Sequence, residues 1–168
     1  KVLSSIDNNS TIIADILYGR GGAFERMGDY KKADIDLLKS LEKRPDDPYS
    51  LNYLAYSWLE RNHRIEEAIQ MLETAYKKKE SDPYITDSVG WGYYLIGDYI
   101  KAEQYLRRAV ELMPEDPIVN DHYGDVLWQL NRKMQASYFW KNVLEFEDTE
   151  EKMKKDIQNK LLNGPNKI

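Results

Sequence analysis

Small, apolar and turn-forming positions recur along the chain with a single period. An alanine, a second small residue and a large apolar residue return in each unit, and the large residue lies four positions after the alanine. The three series are Ala33, Ala68, Ala102 and Ala136; Gly21, Ala55, Gly90 and Gly124; and Leu37, Leu72, Leu106 and Trp140. The prolines of three Asp-Pro steps, Pro48, Pro83 and Pro117, lie 35 and 34 residues apart. A fixed period of this length indicates a repeat architecture.

Each unit predicts two helices joined by a tight turn. In the clearest unit, Tyr84–Ile96 is the first helix and Tyr99–Leu112 is the second. Gly97 suits the left-handed end of a helix, and Asp98 can cap the next helix by accepting a backbone N–H. Pro83 suits a helix start, where its missing N–H costs nothing. The small positions are expected where the helices of a hairpin approach each other, because a larger side chain would push them apart.

The pattern of this unit resembles the tetratricopeptide repeat. The residues that carry the resemblance are Gly90, Tyr93, Gly97, Asp98, Tyr99, Ala102, Leu106, Ala109 and Pro114. The predicted repeats span residues 10–47, 48–82, 83–116 and 117–150. The last repeat departs from the pattern, since Asn131 replaces the turn glycine and Asp148 the final proline. The resemblance implies an all-α, right-handed solenoid of helix-turn-helix repeats, similar to the C-terminal repeats of long bacterial members of the family.

The two ends of the chain predict further helical segments. Residues 1–9 resemble the tail of a preceding repeat, which suggests a piece of a longer protein, and Ser10 or Thr11 is expected to cap the next helix. Residues 151–163 place apolar side chains four apart, at Met153, Ile157 and Leu161, among charged ones. This amphipathic pattern predicts a capping helix that covers the last hairpin of a solenoid.

Composition and motifs narrow the function. The net charge of −5 argues against a general nucleic-acid binder, and no apolar run approaches the roughly 18 residues of a membrane span. The chain has no cysteine, which excludes disulfides and thiolate sites but leaves the compartment, cytoplasmic or envelope-associated, open. No phosphate-binding or nucleophile motif is present. A metal at His122 with Asp121 or Asp125 would have too few ligands. We therefore expect no enzyme and no cofactor.

The family resemblance places a partner on the first helices, which line the inside of the solenoid's curve. The candidate contact residues are Asn52, Tyr53, Tyr56, Asp87, Ser88, Trp91, Tyr94, Asp121, His122 and Asp125. Aromatic and acidic side chains suit a peptide or protein segment that carries Lys or Arg beside apolar residues. The basic residues with which some family members clamp a C-terminal carboxylate are missing from the corresponding positions.

Two alternatives stay open at this point. The aromatic side chains could pack between neighbouring first helices instead of meeting a partner. The whole chain could also be a structural spacer or a self-assembly module, rather than a scaffold that binds another protein.

Overall fold

The computed structural model describes residues 2–165, and it describes side chains from Ser10 onward. This part of the chain forms nine α-helices and contains no strand. The helices are α1 (Val2–Arg26), α2 (Tyr30–Lys43), α3 (Pro48–Glu60), α4 (Ile65–Lys78), α5 (Pro83–Leu95), α6 (Tyr99–Leu112), α7 (Pro117–Gln129), α8 (Lys133–Glu145) and α9 (Glu151–Asn163). Consecutive helices pair as α1 with α2, α3 with α4, α5 with α6 and α7 with α8. The hairpins fall into two compact units, unit 1 (Lys1–Lys79) and unit 2 (Glu80–Ile168).

The helix starts follow from the Asp-Pro and Gly-Asp steps. Asp82 caps α5 by accepting from the backbone N–H of Tyr84 and Ile85, with proline in the first turn. Asp98 caps α6 by accepting from the N–H of Lys101, as predicted. Gly97 has a φ of +80°, which a residue with a Cβ rarely adopts.

Two turns without glycine still use the left-handed region. Asn131, which replaces the turn glycine of the fourth hairpin, has a φ of +60°. Asparagine tolerates this conformation better than most residues, so the turn keeps its geometry. In the longer turn of the second hairpin, Asn62 and Arg64 have φ values of +52° and +48°. The spacing from Pro48 to Pro83 is one residue longer than the next spacing, and this longer turn accommodates the additional residue outside the helices.

The small positions lie where the helices of a hairpin meet, as predicted. A Cβ added to Gly90 would lie 2.6 Å from Cγ of Leu106, and one added to Gly124 would lie 2.3 Å from Nε1 of Trp140. In the hairpins whose recurring small residue is glycine, the large apolar residue thus packs against it. Leu106 and Trp140 are fully buried at these contacts.

In two hairpins, the acidic residue that directly follows the recurring alanine (Ala33 or Ala102) bonds to the next hairpin. In unit 1, Asp34 of α2 accepts from Trp58 Nε1 at 3.1 Å and from Arg61 Nη2 at 2.7 Å. In unit 2, Glu103 of α6 accepts from the Tyr123 hydroxyl at 3.3 Å and from Arg132 Nη1 at 3.1 Å. The same position therefore serves the same purpose in both units.

The ends of the described chain differ from the sequence prediction at one point. Helix α1 continues through Ser10 and Thr11, so neither residue caps a helix and that expectation was wrong. Whether residues 1–9 derive from a preceding repeat stays a prediction. At the other end, α9 packs on α8 and buries Ile157 completely, while Lys152, Lys155 and Asp156 stay exposed. Helix α9 is the C-terminal capping helix.

Candidate functional site

The inner face of unit 1 is formed by side chains of α1 and α3 that contact one another. The Tyr53 hydroxyl donates to Oε2 of Glu25 at 3.2 Å, and the Tyr53 ring meets Tyr18 edge-on with centroids 5.7 Å apart. Gly22 makes room for this tyrosine, since an added Cβ would lie 3.2 Å from its hydroxyl oxygen. Tyr53 therefore joins the two first helices and is half-buried as a result.

A second stripe of α3 remains open to solvent. Asn52, Tyr56 and Glu60 follow one another at intervals of four residues, which places them on one side of the helix. Asn52 and Tyr56 are half-buried, and Glu60 is exposed. The Oδ1 atom of Asn52 is buried and has no hydrogen-bond partner among the described residues. An unpaired buried acceptor of this kind costs about 1–3 kcal/mol of stability.

The inner face of unit 2 is built around Trp91. Its ring stacks on His122 with centroids 4.1 Å apart and on Tyr94 with centroids 4.8 Å apart. Nδ1 of His122 donates to Asp87 at 2.9 Å, and Gln129 Nε2 donates to the Tyr94 hydroxyl at 3.4 Å. Trp91 is half-buried between these fixed neighbours, so its position on α5 is well defined.

Helix α9 supplies the cation for the acidic residues of α7. Lys160 Nζ lies 2.7 Å from Oδ1 of Asp121 and 2.8 Å from Oδ1 of Asp125. Asp125 also accepts from Nε1 of the buried Trp140 at 3.2 Å. The cluster thus ties the capping helix to α7 and to α8, and its two carboxylates are already paired within the chain.

Burial and neighbouring charges shift the pKa values of this cluster. Burial disfavours the charged form of His122, but Asp87 above all, with Asp121 and Asp125, outweighs that effect and raises the pKa of His122 above 6.5. Burial and then the charge of Asp121 raise the pKa of Asp125 to about 6, although Lys160 opposes them. Burial also raises the pKa of the Tyr94 phenol.

We expect the stability of the protein to fall as the pH rises, in two separate windows. Asp125 holds its proton more tightly in the folded state than in the unfolded state. The stability that this proton contributes is therefore lost as the pH rises from about 4 to about 6. The imidazolium of His122 is also favoured in the folded state, so its contribution is lost above about pH 6.5. The variant His122→Gln should keep the lower window and lose the upper one. Urea unfolding at a series of pH values measures the free energy of unfolding. If that free energy fell equally steeply above pH 6.5 in the wild type and in the variant, the prediction would be wrong.

The ten predicted contact residues divide into two groups. Half-buried residues are Asn52, Tyr53, Tyr56, Trp91 and Asp121. Buried residues are Asp87, Ser88, Tyr94, His122 and Asp125. The second group is largely covered by neighbouring side chains, and the contact of any of the ten residues with a partner stays a prediction. The buried residues pack inside the protein and position the first group.

Sequence reasoning missed Lys160 as a member of this cluster. It lies 39 residues after Asp121 and 35 after Asp125 on a helix outside the repeat pattern, so no spacing pointed to it. Among the described residues, no group of three His, Asp or Glu side chains is placed to hold a metal ion. No helix in this part of the chain is long and apolar enough to span a membrane.

Paired helices of this length and period define the class of helical-hairpin repeat proteins. The family model for the tetratricopeptide repeat matches residues 14–47 and 90–116. A TPR repeat-containing protein of Pseudomonas aeruginosa is 33% identical over 111 residues, which make up 66% of this chain and 19% of that protein. The chain belongs to the tetratricopeptide repeat family. It spans about a fifth of the length of that curated relative.

Solved structures show the same fold. MamA (41 to the end) from Desulfovibrio magneticus RS-1 superposes with a TM-score of 0.70 at 22% identity, over 82% of this chain and 77% of that one. The first TPR of Spaghetti (RPAP3), solved with an HSP90 peptide, gives 0.67 at 16% identity, over 72% and 95%. The chain is therefore an all-α tetratricopeptide solenoid, a fold that generally serves as a protein-interaction scaffold rather than as an enzyme.

Proposed function

We propose that the inner faces bind a peptide or protein segment that carries lysine or arginine beside apolar side chains. The observation that carries this proposal is the shared position of two half-buried aromatic residues. Tyr56 and Trp91 directly follow Ala55 and Gly90, the recurring small residues of their first helices. Each aromatic side chain is partly exposed. Aromatic rings in such positions offer a large contact area at little cost in conformational entropy.

Each unit contributes a different chemistry. On unit 1, the exposed Glu60 lies one helical turn after Tyr56, and the partly exposed Glu25 accepts from the Tyr53 hydroxyl, so this face suits a cation. On unit 2, the acids are paired with His122 and Lys160, which leaves Trp91 and the exposed Tyr84 as an apolar surface. We therefore expect the face of unit 1 to favour basic side chains and the face of unit 2 to favour apolar ones.

A solved relative supports the type of ligand but not its charge. The peptide in the RPAP3 complex has the sequence SRMEEVD, which is predominantly acidic. Exposed acids on unit 1 would repel such a segment. We infer binding rather than catalysis for the present chain, since Asp87 is paired with His122 and the Tyr94 hydroxyl accepts from Gln129.

The proposal predicts both a ligand class and the residues that bind it. Peptides selected from a random library with the full chain should be enriched in Lys or Arg together with apolar residues. Replacing Tyr56 or Trp91 with alanine should weaken binding of a selected peptide about tenfold, as at interface hot spots. Titration calorimetry measures this loss, and circular dichroism verifies that each variant is folded.

Matched controls separate the site from general surface effects. Tyr138→Ala removes a 62% exposed ring on α8 and should leave the affinity unchanged. Glu60→Lys should weaken binding, whereas Glu147→Lys makes the same charge change in the loop after α8 and should not. Selection of acidic peptides, or wild-type affinity in both aromatic variants, would overturn the proposal.

A further inference from the structure

The sequence contains a single asparagine–glycine step, at Asn163 and Gly164. Asparagine is among the thermolabile residues of proteins. The backbone nitrogen of the next residue attacks its side-chain amide most readily when that residue is glycine, which has no side chain to hinder the approach and adopts many backbone conformations. Asn163 is exposed at the last position of α9, so solvent reaches its amide. The step therefore combines a reactive sequence with an accessible side chain.

Two hydrogen bonds hold the reacting groups in the folded protein. The backbone N–H of Gly164 donates to the carbonyl oxygen of Lys160 at 2.7 Å, and Gly164 is buried. Nδ2 of Asn163 donates to Oδ1 of Asn159 at 2.6 Å. The nitrogen of Gly164 must give up its hydrogen bond before it attacks Cγ of Asn163, and this requires local opening of the helix end. The docked helix therefore protects the step.

Docking of α9 depends on the same helical turn. Lys160, whose carbonyl oxygen holds the N–H of Gly164, pairs through Nζ with the two carboxylates of α7. Gly164 itself lies against Trp128 of α7, since an added Cβ would be 2.6 Å from Cε2 of that ring. Of the residues of α9, only Ile157 is fully buried. A helix that buries so little opens more readily than the core of the protein.

We propose that the step from Asn163 to Gly164 is a site of spontaneous covalent modification, which yields aspartate and isoaspartate at position 163 when α9 separates from α7. The nitrogen of Gly164 attacks Cγ of Asn163, the bond between Cγ and Nδ2 breaks, and the amide proton of Gly164 leaves with Nδ2 as ammonia. Water then opens the cyclic succinimide at either of its carbonyl carbons. Water is the only co-reactant.

The products fit the docked position of α9 poorly. Each product places a carboxylate at the carboxyl end of the helix, where the helix dipole disfavours negative charge. Isoaspartate also adds a carbon atom to the backbone before Gly164, which has no spare room against Trp128. The modification therefore turns a transient separation of α9 from α7 into a lasting one.

Incubation of the full chain at mildly alkaline pH tests the proposal. Mass spectrometry of proteolytic peptides, with fragmentation to locate the change, measures conversion at each asparagine. In urea, Asn163 should react ahead of the exposed Asn62 and Asn131, which precede bulky residues. In the folded protein, Asn163 should react at least about tenfold more slowly than in urea, because the attacking nitrogen is bonded and buried. Equal rates in the two conditions, or no preference for Asn163 in urea, would overturn the proposal.

Variants of the ion cluster test whether docking of α9 controls the rate. Lys160→Met leaves the backbone carbonyl in place but removes the cation, and it should accelerate the reaction without urea several-fold. Lys154→Met, which removes the partner of the exposed Glu151, should react like the wild type. Adding Asp121→Asn and Asp125→Asn to Lys160→Met should slow the reaction again. Circular dichroism verifies that each variant is folded, and equal rates in the two lysine variants would contradict control by docking.

Discussion

Replacing Gly124 with alanine is expected to lower the free energy of unfolding by about 3 kcal/mol, the cost of overpacking a tight core. The added Cβ would lie 2.3 Å from Nε1 of Trp140. That indole is fully buried, donates to Asp125 and lies against Trp128 at a centroid distance of 5.5 Å. A rigid ring held on several sides has no room to move. Urea unfolding of the full chain, followed by circular dichroism, measures the loss.

The second hairpin supplies the rescue for this variant. There the ladder pair is Ala55 with Leu72, and both residues are fully buried. The double variant Gly124→Ala/Trp140→Leu copies that pair and should recover part of the stability lost in the single variant. Gly19 lies inside α1, and a Cβ added there would meet nothing within 4 Å. Gly19→Ala should therefore raise stability by up to about 1 kcal/mol. Equal stabilities of Gly124→Ala and Gly19→Ala would contradict the packing described for the fourth hairpin.

Replacing Lys160 with methionine is expected to destabilise the protein by about 3–5 kcal/mol at neutral pH, the range found when a buried ion pair loses one partner. Asp121 and Asp125 have 16% and 5% exposed side chains and would face each other without a cation. Their repulsion and burial would then release α9 from α7. The loss should be smaller at pH 4, where Asp125 is protonated, since its pKa is already raised to about 6 in the intact cluster.

A lysine on the same helix provides the control. Lys154 pairs with Glu151, whose side chain is 84% exposed, at 3.5 Å. Lys154→Met should change stability by less than about 1 kcal/mol, as for other surface ion pairs. Adding Asp121→Asn and Asp125→Asn to Lys160→Met should restore part of the loss. If Lys160→Met and Lys154→Met were equally stable at neutral pH, the cluster would not hold the capping helix.

The helices and their turns were predictable because their signals are local. Asp98 lies beside the turn that it caps, and Gly97 shows its left-handed conformation through its residue type. The close approach of two helices at Gly124 was predictable, because small residues recur at that position. That Trp140 packs against Gly124 was not predicted from the sequence. The unbroken course of α1 was not predictable, since Ser10 and Thr11 are good capping residues that also tolerate a helix interior.

The inner face was predictable only in part. Its residues were identified by their position in the repeat, but that position does not show which side chains their neighbours bury. Asp125 was expected to face a partner's cation, yet Lys160 provides that cation from 35 residues further along the chain. Pairings of this kind depend on how two helices meet in space. Tyr56 and Trp91 stay partly exposed, whereas other residues at similar repeat positions are buried by side chains of neighbouring helices.

Chemical-shift mapping of the full chain with a selected basic, apolar peptide tests the central claim most directly. If the inner faces bind the peptide, the largest amide shifts should occur at Asn52, Tyr56 and Glu60 of α3 and around Trp91 of α5. The second helices α2, α4, α6 and α8 should change little. Shifts confined to those second helices, with α3 and α5 unaffected, would contradict the proposed binding surface.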